Sequence, residues 1–172
     1  MQNVELKARY DDLQRAARVA RALGATRQWR RRQTDTYFAT PRGRLKVRRV
    51  PGQPAELIAY HRADTATARP SSYHICSVPD GAALCRTLSM VLDTLVVVDK
   101  VRTLYLLDNV RIHLDTVRGI GSFIEFEAVL SHPGQEAAAT ARVKELCTHF
   151  GITQEHIVAT SYAELLLARS RT

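Results

Sequence analysis

Hydrophobic and polar residues alternate strictly in several short stretches of the chain, which is the period of a β-strand with one buried face. In GSFIEFEAV, residues 121–129, the even positions after Ser122 are apolar, and the odd positions include Glu125 and Glu127. Two carboxylates on one strand face repel each other. We therefore expect a binding partner opposite them that relieves this repulsion. The other alternating stretches are VELKARY, TDTYFAT, GRLKVRRV, AELIAYHR, SSYHICSV, VVVDKVRTLYLL and NVRIHLDTV.

Turn-forming residues separate these stretches. They include PRG at 41–43, VPGQP at 50–54, DN at 108–109 and RGIG at 118–121. Several of the gaps are short enough for hairpins, so the pattern predicts about eight antiparallel strands.

Four further segments have the pattern of helices. Residues 11–24 start with Asp and stop at Gly, residues 80–93 carry apolar residues at helical spacing, and residues 136–151 end on Gly. The fourth segment is SYAELLLAR, in which Ser161 and Glu164 have the spacing of a capping box. We therefore interpret Ser161 as a helix cap rather than a nucleophile.

Length and composition fit one domain. A chain of 172 residues with 45% apolar content builds one core and is short for two. No internal repeat or linker interrupts it. The sequence predicts a single α+β domain over residues 1–172, in which eight antiparallel strands close into a barrel covered by about four helices.

Charged residues share one face on most of the predicted strands. If those faces point to solvent, the sheet simply has one wet side. If they point inward, the barrel contains four acids and nine cations, and the apolar faces are covered by the helices. The acids are Glu5, Asp115, Glu125 and Glu127, and the cations are Lys7, Arg9, Arg44, Lys46, Arg48, Arg62, Lys100, Arg102 and Arg111.

A charged interior requires a ligand, because burying an unpaired charge costs several kcal/mol or more per ion. Clustered carboxylates are the oxygen ligands that Mg²⁺ and Mn²⁺ prefer, and lysine and arginine match phosphate oxygens. A metal ion together with a polyphosphate would satisfy both sets, and the metal would relieve the repulsion between Glu125 and Glu127.

The overall charge supports an anionic partner. The formal net charge is +8, which fits nucleic acid, an acidic membrane surface or a phosphorylated small molecule without choosing among them.

Cys76, Cys85 and Cys147 are scattered and form no CxxC pair, which favours a reducing compartment. No secretory signal or apolar stretch of about 20 residues is present, so we expect a soluble, cytoplasmic protein.

Several motifs resemble the CYTH superfamily, the triphosphate tunnel metalloenzymes. NVELK resembles the ExExK signature strand, and LKVRR, LIAYHR, DKVR, VRIHLDTVRGIGSFIEFEAV and SYAELL follow in matching order. The block with LD, two glycines and F-x-E-x-E is most similar to the class IV adenylyl cyclase branch. The resemblance implies an eight-stranded antiparallel tunnel that holds an organic or inorganic polyphosphate with a divalent metal, Mg or Mn.

By position, the resemblance also implies roles for individual residues. Two departures from the family pattern are expected to shift substrate or chemistry without abolishing phosphate binding. The first Glu of ExExK is Asn3, which offers a metal a neutral carbonyl and removes one negative charge, and RPSSYHI offers only Arg69 and His74 where relatives often carry more basic residues. The implied metal ligands are Glu5, Asp115, Glu125 and Glu127, with Asn3 beside them, and the implied phosphate ligands are Lys7, Lys46, Arg48, Arg62, Lys100, Arg102 and Arg111.

Three reactions fit this site. In a cyclase, the ribose 3′-hydroxyl of ATP attacks the α-phosphate and pyrophosphate leaves; in a triphosphatase, water attacks instead; in a third alternative, a diphosphate such as a prenyl diphosphate ionises. Glu5 and Lys7 are the candidate catalytic residues. Lys7 is a candidate base, because a lysine among many cations is expected to have a lowered pKa.

A non-catalytic nucleic-acid binder is the alternative outside this class. RQWRRRQ, residues 27–33, places three arginines beside Trp29. We expect instead a short basic connection with solvated arginines and Trp29 packed on the barrel, because a nucleic-acid binder has no need of the acids.

The expected partner is a small-molecule polyphosphate, and no membrane is expected to be bound. A homodimer is one of the oligomeric states left open.

Aromatic residues and one histidine complete the set of candidates. Tyr37, Tyr60 and Tyr73 are expected to pack the barrel or its rim, and Tyr162 to pack the last helix onto the tunnel mouth. His113 lies on a charged face between Arg111 and Asp115, where a site role and a structural role are equally expected.

Overall fold

The computed structural model describes residues 2–62, 69–132 and 134–170, with side chains except at residues 2, 61–62 and 69–72. The strands are β1 (Gln2–Arg9), β2 (Thr26–Phe38), β3 (Arg44–Arg49), β4 (Ala55–Arg62), β5 (Arg69–Val78), β6 (Thr94–Leu107), β7 (Val110–Val117) and β8 (Gly121–Val129). The helices are α1 (Leu13–Ala22), α2 (Gly81–Ser89), α3 (Glu136–Phe150) and α4 (Tyr162–Arg169), with a short 3₁₀ turn at Gln154–His156.

The eight strands form a closed antiparallel barrel in the order β1-β5-β4-β3-β2-β6-β7-β8. β1 closes the barrel, because it pairs with β5 on one side and with β8 on the other. The predicted α+β class, the eight antiparallel strands and the four helices are therefore confirmed. No helix within the described ranges combines the length and apolar character needed to cross a membrane.

The main hydrophobic core lies outside the barrel wall, between the strands and the helices. Val4 and Leu6 of β1 pack in one cluster with Ala16 of α1 and with Val143 and Phe150 of α3. A second cluster lies under α2, where Leu84 and Leu88 pack against Phe38, Val47 and Ala55. Because the apolar faces are covered from outside, the charged faces of the strands point into the barrel. We call the barrel interior the tunnel.

The arginine-rich segment 27–33 is part of β2, so the predicted basic connection is wrong. β2 begins at Thr26 and pairs with β6 along its length, with an irregularity in register between Arg27 and Trp29. The segment carries charge on both faces, which hides the alternation that identifies a strand. Its pairing depends on the long β6, and on the outer face Arg32 contacts Asp99 at 2.5 Å.

Helix α4 lies across one end of the tunnel. The predicted capping box is present: the Ser161 hydroxyl accepts from the Glu164 amide at 3.2 Å, and the Glu164 carboxylate accepts from the Ser161 amide at 2.6 Å. Arg44 of β3 contacts Glu164 at 2.7 Å, and the Tyr162 ring packs edge-on against Phe123 at 4.9 Å between ring centres. The expected packing of Tyr162 at a tunnel mouth follows from these contacts.

Candidate active site

The tunnel encloses a cavity of about 470 Å³, a size typical of small-molecule sites. All eight strands contribute inward side chains to it, and Ser161 and Tyr162 line it from the α4 end. Charged residues form much of the lining. They are the cations Lys7, Arg31, Lys46, Arg48, Lys100, Arg102 and Arg111 and the acids Glu5, Glu56, Glu125 and Glu127.

Asp115 is fully buried and is surrounded by donors. Arg102 binds it with two hydrogen bonds of 2.7 and 2.5 Å, the Lys100 ammonium lies 3.3 Å away, and the Tyr162 hydroxyl donates to it at 3.0 Å. Burial alone would raise the pKa of Asp115, but Arg102 and Lys100 lower it below its ordinary value. Arg102 also donates to Glu125, so one guanidinium joins two of the predicted metal ligands.

Asp35 forms a second buried ion cluster that sequence reasoning missed. Its carboxylate accepts from Lys46 at 2.7 Å and from Arg48 at 2.9 and 3.2 Å. Burial favours the neutral acid, yet Arg48 and Lys46 hold the pKa of Asp35 well below its usual range. The alternation in TDTYFAT could have placed Asp35 on the inward face, because Asp35 shares a strand face with Tyr37. Two predicted phosphate ligands therefore have an acidic partner inside the tunnel.

Glu127 is the centre of a third cluster, where β1, β7 and β8 meet. Asn3 donates to it at 2.6 Å, the Arg111 guanidinium lies 3.3 Å away, and the His113 Nε2 lies 3.1 Å away. Burial would raise the pKa of Glu127, but His113 and Arg111 lower it to about 2. Glu5 is the direct cross-strand neighbour of Glu127.

The oxygen atoms at this third cluster fit one divalent cation. Asn3 is buried, and its Oδ1 has no hydrogen-bond partner among the described residues. A buried carbonyl in that state is suited to complete the coordination of a cation beside carboxylates. No three His, Cys, Asp or Glu side chains within the described ranges are grouped to hold a metal, so the protein ligands would be Asn3, Glu5 and Glu127, with phosphate or water supplying the rest.

His113 and Lys100 are both buried beside Arg102, and both have lowered pKa values. Burial and the positive charge of Arg102 lower the pKa of His113, which favours a neutral ring that donates from Nε2 to Glu127. The same two causes lower the pKa of Lys100 to about 8. The argument made for Lys7 from the sequence, a lysine pKa lowered among cations, thus applies to Lys100.

Tyrosine rings line the tunnel rather than only its rim. Lys46 lies 5.3 Å from the ring centre of Tyr37 and 5.7 Å from that of Tyr60. Lys7 and Lys100 lie 4.5 and 5.0 Å from the centre of Tyr162, and Lys7 also donates to the Thr160 carbonyl. The tyrosine rings therefore make cation–π contacts with the ammonium groups of these lysines.

Arg9 and Arg44, two of the nine cations predicted to face the barrel interior and bind phosphate, lie outside the cavity lining. Arg9 donates to the Ile120 carbonyl at 3.1 Å and stacks on Phe123, and Arg44 contacts Glu164; both therefore serve the α4 end of the barrel. Arg62 lies on β4, but its side chain is outside the described part of the chain. Sequence reasoning missed the inward positions of Trp29, Arg31 and Gln33, because it did not place the first half of β2 in a strand.

Comparisons with known proteins agree with this fold. The sequence model of the CYTH domain matches residues 1–162. The structure is similar to that of PH1012 from Pyrococcus horikoshii, with a TM-score of 0.85, 23% identity, and coverage of 95% of this chain and 98% of that one. No curated protein matches the sequence.

Two further solved structures carry names that refer to an activity. A candidate adenylate cyclase from Vibrio parahaemolyticus has a TM-score of 0.79 and 20% identity, covering 95% of this chain and 97% of that one. A Hippeastrum protein, described as a candidate adenylyl cyclase with a dominant triphosphatase activity, has a TM-score of 0.63 and 13% identity, covering 99% and 96%. At these identities the likeness shows the fold alone.

The Asp35 cluster generates a stability prediction. Asp35→Asn removes the carboxylate that Lys46 and Arg48 share and leaves Arg48 only the longer contact with Glu56 at 3.8 Å, so we expect the free energy of unfolding to fall by about 3 kcal/mol. Urea unfolding at neutral pH measures the change. The control is Asp99→Asn, which removes the partner of the exposed Arg32 and is expected to cost less than about 1 kcal/mol. Equal losses in the two variants would contradict the proposed role of Asp35.

The lowered carboxylate pKa values generate a pH prediction. A carboxylate with a folded pKa below its unfolded value of about 4.3 stabilises the fold above that value and loses this contribution as the pH falls. Since the folded pKa of Glu127 is about 2, unfolding free energy should drop between about pH 5 and pH 2. Glu127→Gln should make this drop shallower, whereas Glu145→Gln, at an exposed and solvent-screened pair with Arg142, should change it much less. An unaltered acid profile in Glu127→Gln would contradict the assignment.

Proposed function

The chain belongs to the CYTH domain family, and on this basis we propose that it is a divalent-metal-dependent enzyme acting on an organic polyphosphate held in the tunnel. The observation that carries the proposal is the cavity surrounded by the barrel strands, where seven cations and four acids line one volume. A solvated sheet face has no need of such an enclosure. A nucleic-acid binder has no need of buried carboxylates.

Phosphate binding is proposed to proceed by exchange of ion-pair partners. In the structure the acids Asp35 and Asp115 hold Lys46, Arg48, and Arg102 in place. These cations are thus already ordered before a polyphosphate arrives, which reduces the cost of arranging them around it. Lys7, Lys100 and Arg111 complete the proposed phosphate ligands.

The proposed metal ligands are Asn3, Glu5 and Glu127. A Mg²⁺ or Mn²⁺ ion bound there would act as a Lewis acid on a phosphoryl oxygen. Asp115 and Glu125 stay in the wider proposed ligand set. Transfer of the Arg102 hydrogen bonds to phosphate oxygens would release Glu125 and leave Asp115 with Lys100 and Tyr162 as its donors. Glu5 and Lys7 are the residues of β1 that face Glu127 and Glu125 across the strand pair, so we propose that they touch the reacting phosphate.

The primary candidate reaction is the adenylyl cyclase type. The 3′-hydroxyl of ATP gives its proton to a base, for which Lys7 is the candidate, and its oxygen forms a bond to the α-phosphorus. The bond from that phosphorus to the bridging oxygen breaks, and pyrophosphate leaves. Positioning and charge stabilisation by the tunnel would supply most of the rate. The likeness to a candidate adenylate cyclase from Vibrio parahaemolyticus supports this choice.

The second candidate is a triphosphatase, in which water replaces the ribose hydroxyl. The Hippeastrum protein described as having a dominant triphosphatase activity supports it. Ionisation of another organic diphosphate, such as a prenyl diphosphate, is the third. All three use the same cations and metal ligands, so only the products distinguish them.

Product analysis tests the proposal directly. The protein is incubated with ATP, inorganic triphosphate or geranyl diphosphate, with and without Mg²⁺ or Mn²⁺, and products are identified by mass. Cyclic AMP with pyrophosphate identifies a cyclase, orthophosphate a triphosphatase, and a hydrocarbon or terpene alcohol the third reaction. Glu5→Gln should lower kcat/KM at least about 100-fold, whereas Glu145→Gln, at an exposed position of α3 outside the cavity lining, should change it little. Absence of metal-dependent turnover with every substrate would contradict the proposed function.

Asn3 generates a separate prediction about the metal. Asn3→Glu adds a third carboxylate beside Glu5 and Glu127, so the Kd for Mn²⁺ should fall about tenfold. Calorimetric titration with Mn²⁺ alone measures this without any turnover. Asn3→Gln is the control, because it lengthens the side chain without adding charge. An unchanged Kd in Asn3→Glu would show that position 3 does not touch the metal.

A further inference from the structure

Two cross-strand pairs of apolar residues line the cavity on separate walls. Trp29 of β2 pairs with Leu104 of β6, and Ile58 of β4 pairs with Ile75 of β5. The two walls are separated by β3 in the barrel order, so the pairs flank the same volume from different sides.

The apolar pairs follow the charged pairs in a fixed order along the walls. On the β2–β6 wall, the pairs run from the α4 end, through Arg102 opposite Asp115, to an apolar pair on the far side of Asp115. On the β4–β5 wall, aromatic residues give way to aliphatic ones and then to the polar rim. The successive inward pairs are Gln33 with Lys100, Arg31 with Arg102 and Trp29 with Leu104 on the first wall, and Tyr60 with Tyr73, Ile58 with Ile75 and Glu56 with Ser77 on the second.

Packing within the protein buries Ile58 but leaves the other three apolar side chains partly exposed. Ile75 is 37% exposed, and Trp29 and Leu104 are only half-buried, although all three line the cavity. Apolar surface left in contact with water is unfavourable by about 25 cal/mol per Å², and a ligand that covers it recovers this free energy. The guanidinium of Arg31 lies 5.1 Å from the centre of the Trp29 ring and helps to orient it.

We propose that Trp29, Ile58, Ile75 and Leu104 bind the non-phosphate group of the substrate by apolar contact, so that the preferred substrates are polyphosphate esters of an apolar or aromatic group. The inference rests on the proposed function, since it takes the neighbouring cations as the phosphate site. These four side chains contact the surface of a group, and the indole N–H of Trp29 is the one hydrogen-bond donor among them. Discrimination among nucleobases is therefore weak, and a hydrocarbon group adds the most affinity.

Matched ligands test the inference. Calorimetric titrations compare inorganic pyrophosphate with geranyl diphosphate, and inorganic triphosphate with ATP and GTP, without metal and with Ca²⁺; mass analysis checks that no turnover contributes heat. We expect geranyl diphosphate to bind at least about tenfold more tightly than pyrophosphate, because a buried hydrocarbon chain contributes about 0.8 kcal/mol per CH₂ and a tenfold change is 1.4 kcal/mol. ATP and GTP should bind within about threefold of each other.

Variants locate the effect. Ile75→Thr and Leu104→Thr retain β-strand propensity while removing apolar surface, and together they should weaken geranyl diphosphate about tenfold and leave pyrophosphate unchanged. Val97→Thr is the control, because Val97 is an exposed residue of β6 outside the cavity lining. Trp29 is the single tryptophan of the chain, so its fluorescence in the unmodified protein should change with geranyl diphosphate and much less with pyrophosphate.

The outcomes separate this inference from the function on which it rests. If pyrophosphate and triphosphate bind and the organic group adds no affinity, the apolar subsite is wrong while the phosphate tunnel stands. A strong preference for ATP over GTP would also contradict the apolar subsite, because such a preference requires hydrogen bonds to the edge of the nucleobase. If none of the phosphates binds, the proposed function itself fails.

Discussion

Mutual neutralisation of acids and cations inside the barrel is the constraint on which the rest of the structure depends. Asp35 between Lys46 and Arg48, and Asp115 beside Arg102 and Lys100, make ion pairs that leave neither sign alone in a buried space. Breaking such a pair by removing one partner costs several kcal/mol. Because the interior is occupied by charge, most of the hydrophobic core must lie elsewhere, and it forms between the outer wall and the helices.

The same ion pairs explain why structural and functional roles fall on the same residues. Arg102 holds Asp115 and Glu125 together in the structure, yet its guanidinium also faces the cavity where a phosphate would bind. The acids keep the cations ordered, and an anionic ligand can replace them as partners. The third cluster differs, because Asn3 leaves a carbonyl oxygen without a partner next to two carboxylates.

The sequence predicted the strands whose alternation is clean, such as β3, β7 and β8, and the start of α4 from its capping box. Alternation alone could not decide which face is buried, because a period of two is the same for a wet sheet and a filled barrel. The resemblance of NVELK and the later motifs to the CYTH superfamily favoured charged strand faces that point into the barrel. The first half of β2 was missed, since arginines on both faces hide the period. The partners of Asp35 and Asp115 depend on which strands become neighbours in the closed barrel, which no local pattern records.

Contacts between β1 and the segment leading into α4 have a consequence for how the protein is made. Lys7 donates to the carbonyl of Thr160, 153 residues later, and Tyr162 reaches Asp115 between Lys7 and Lys100. Contacts of such long sequence separation form late in folding. During synthesis on the ribosome, β1 therefore emerges long before the residues that complete its charged face. A nascent chain therefore holds an unfinished tunnel until α4 has been synthesised, and Ser161 and Tyr162 complete the cavity lining only at that stage.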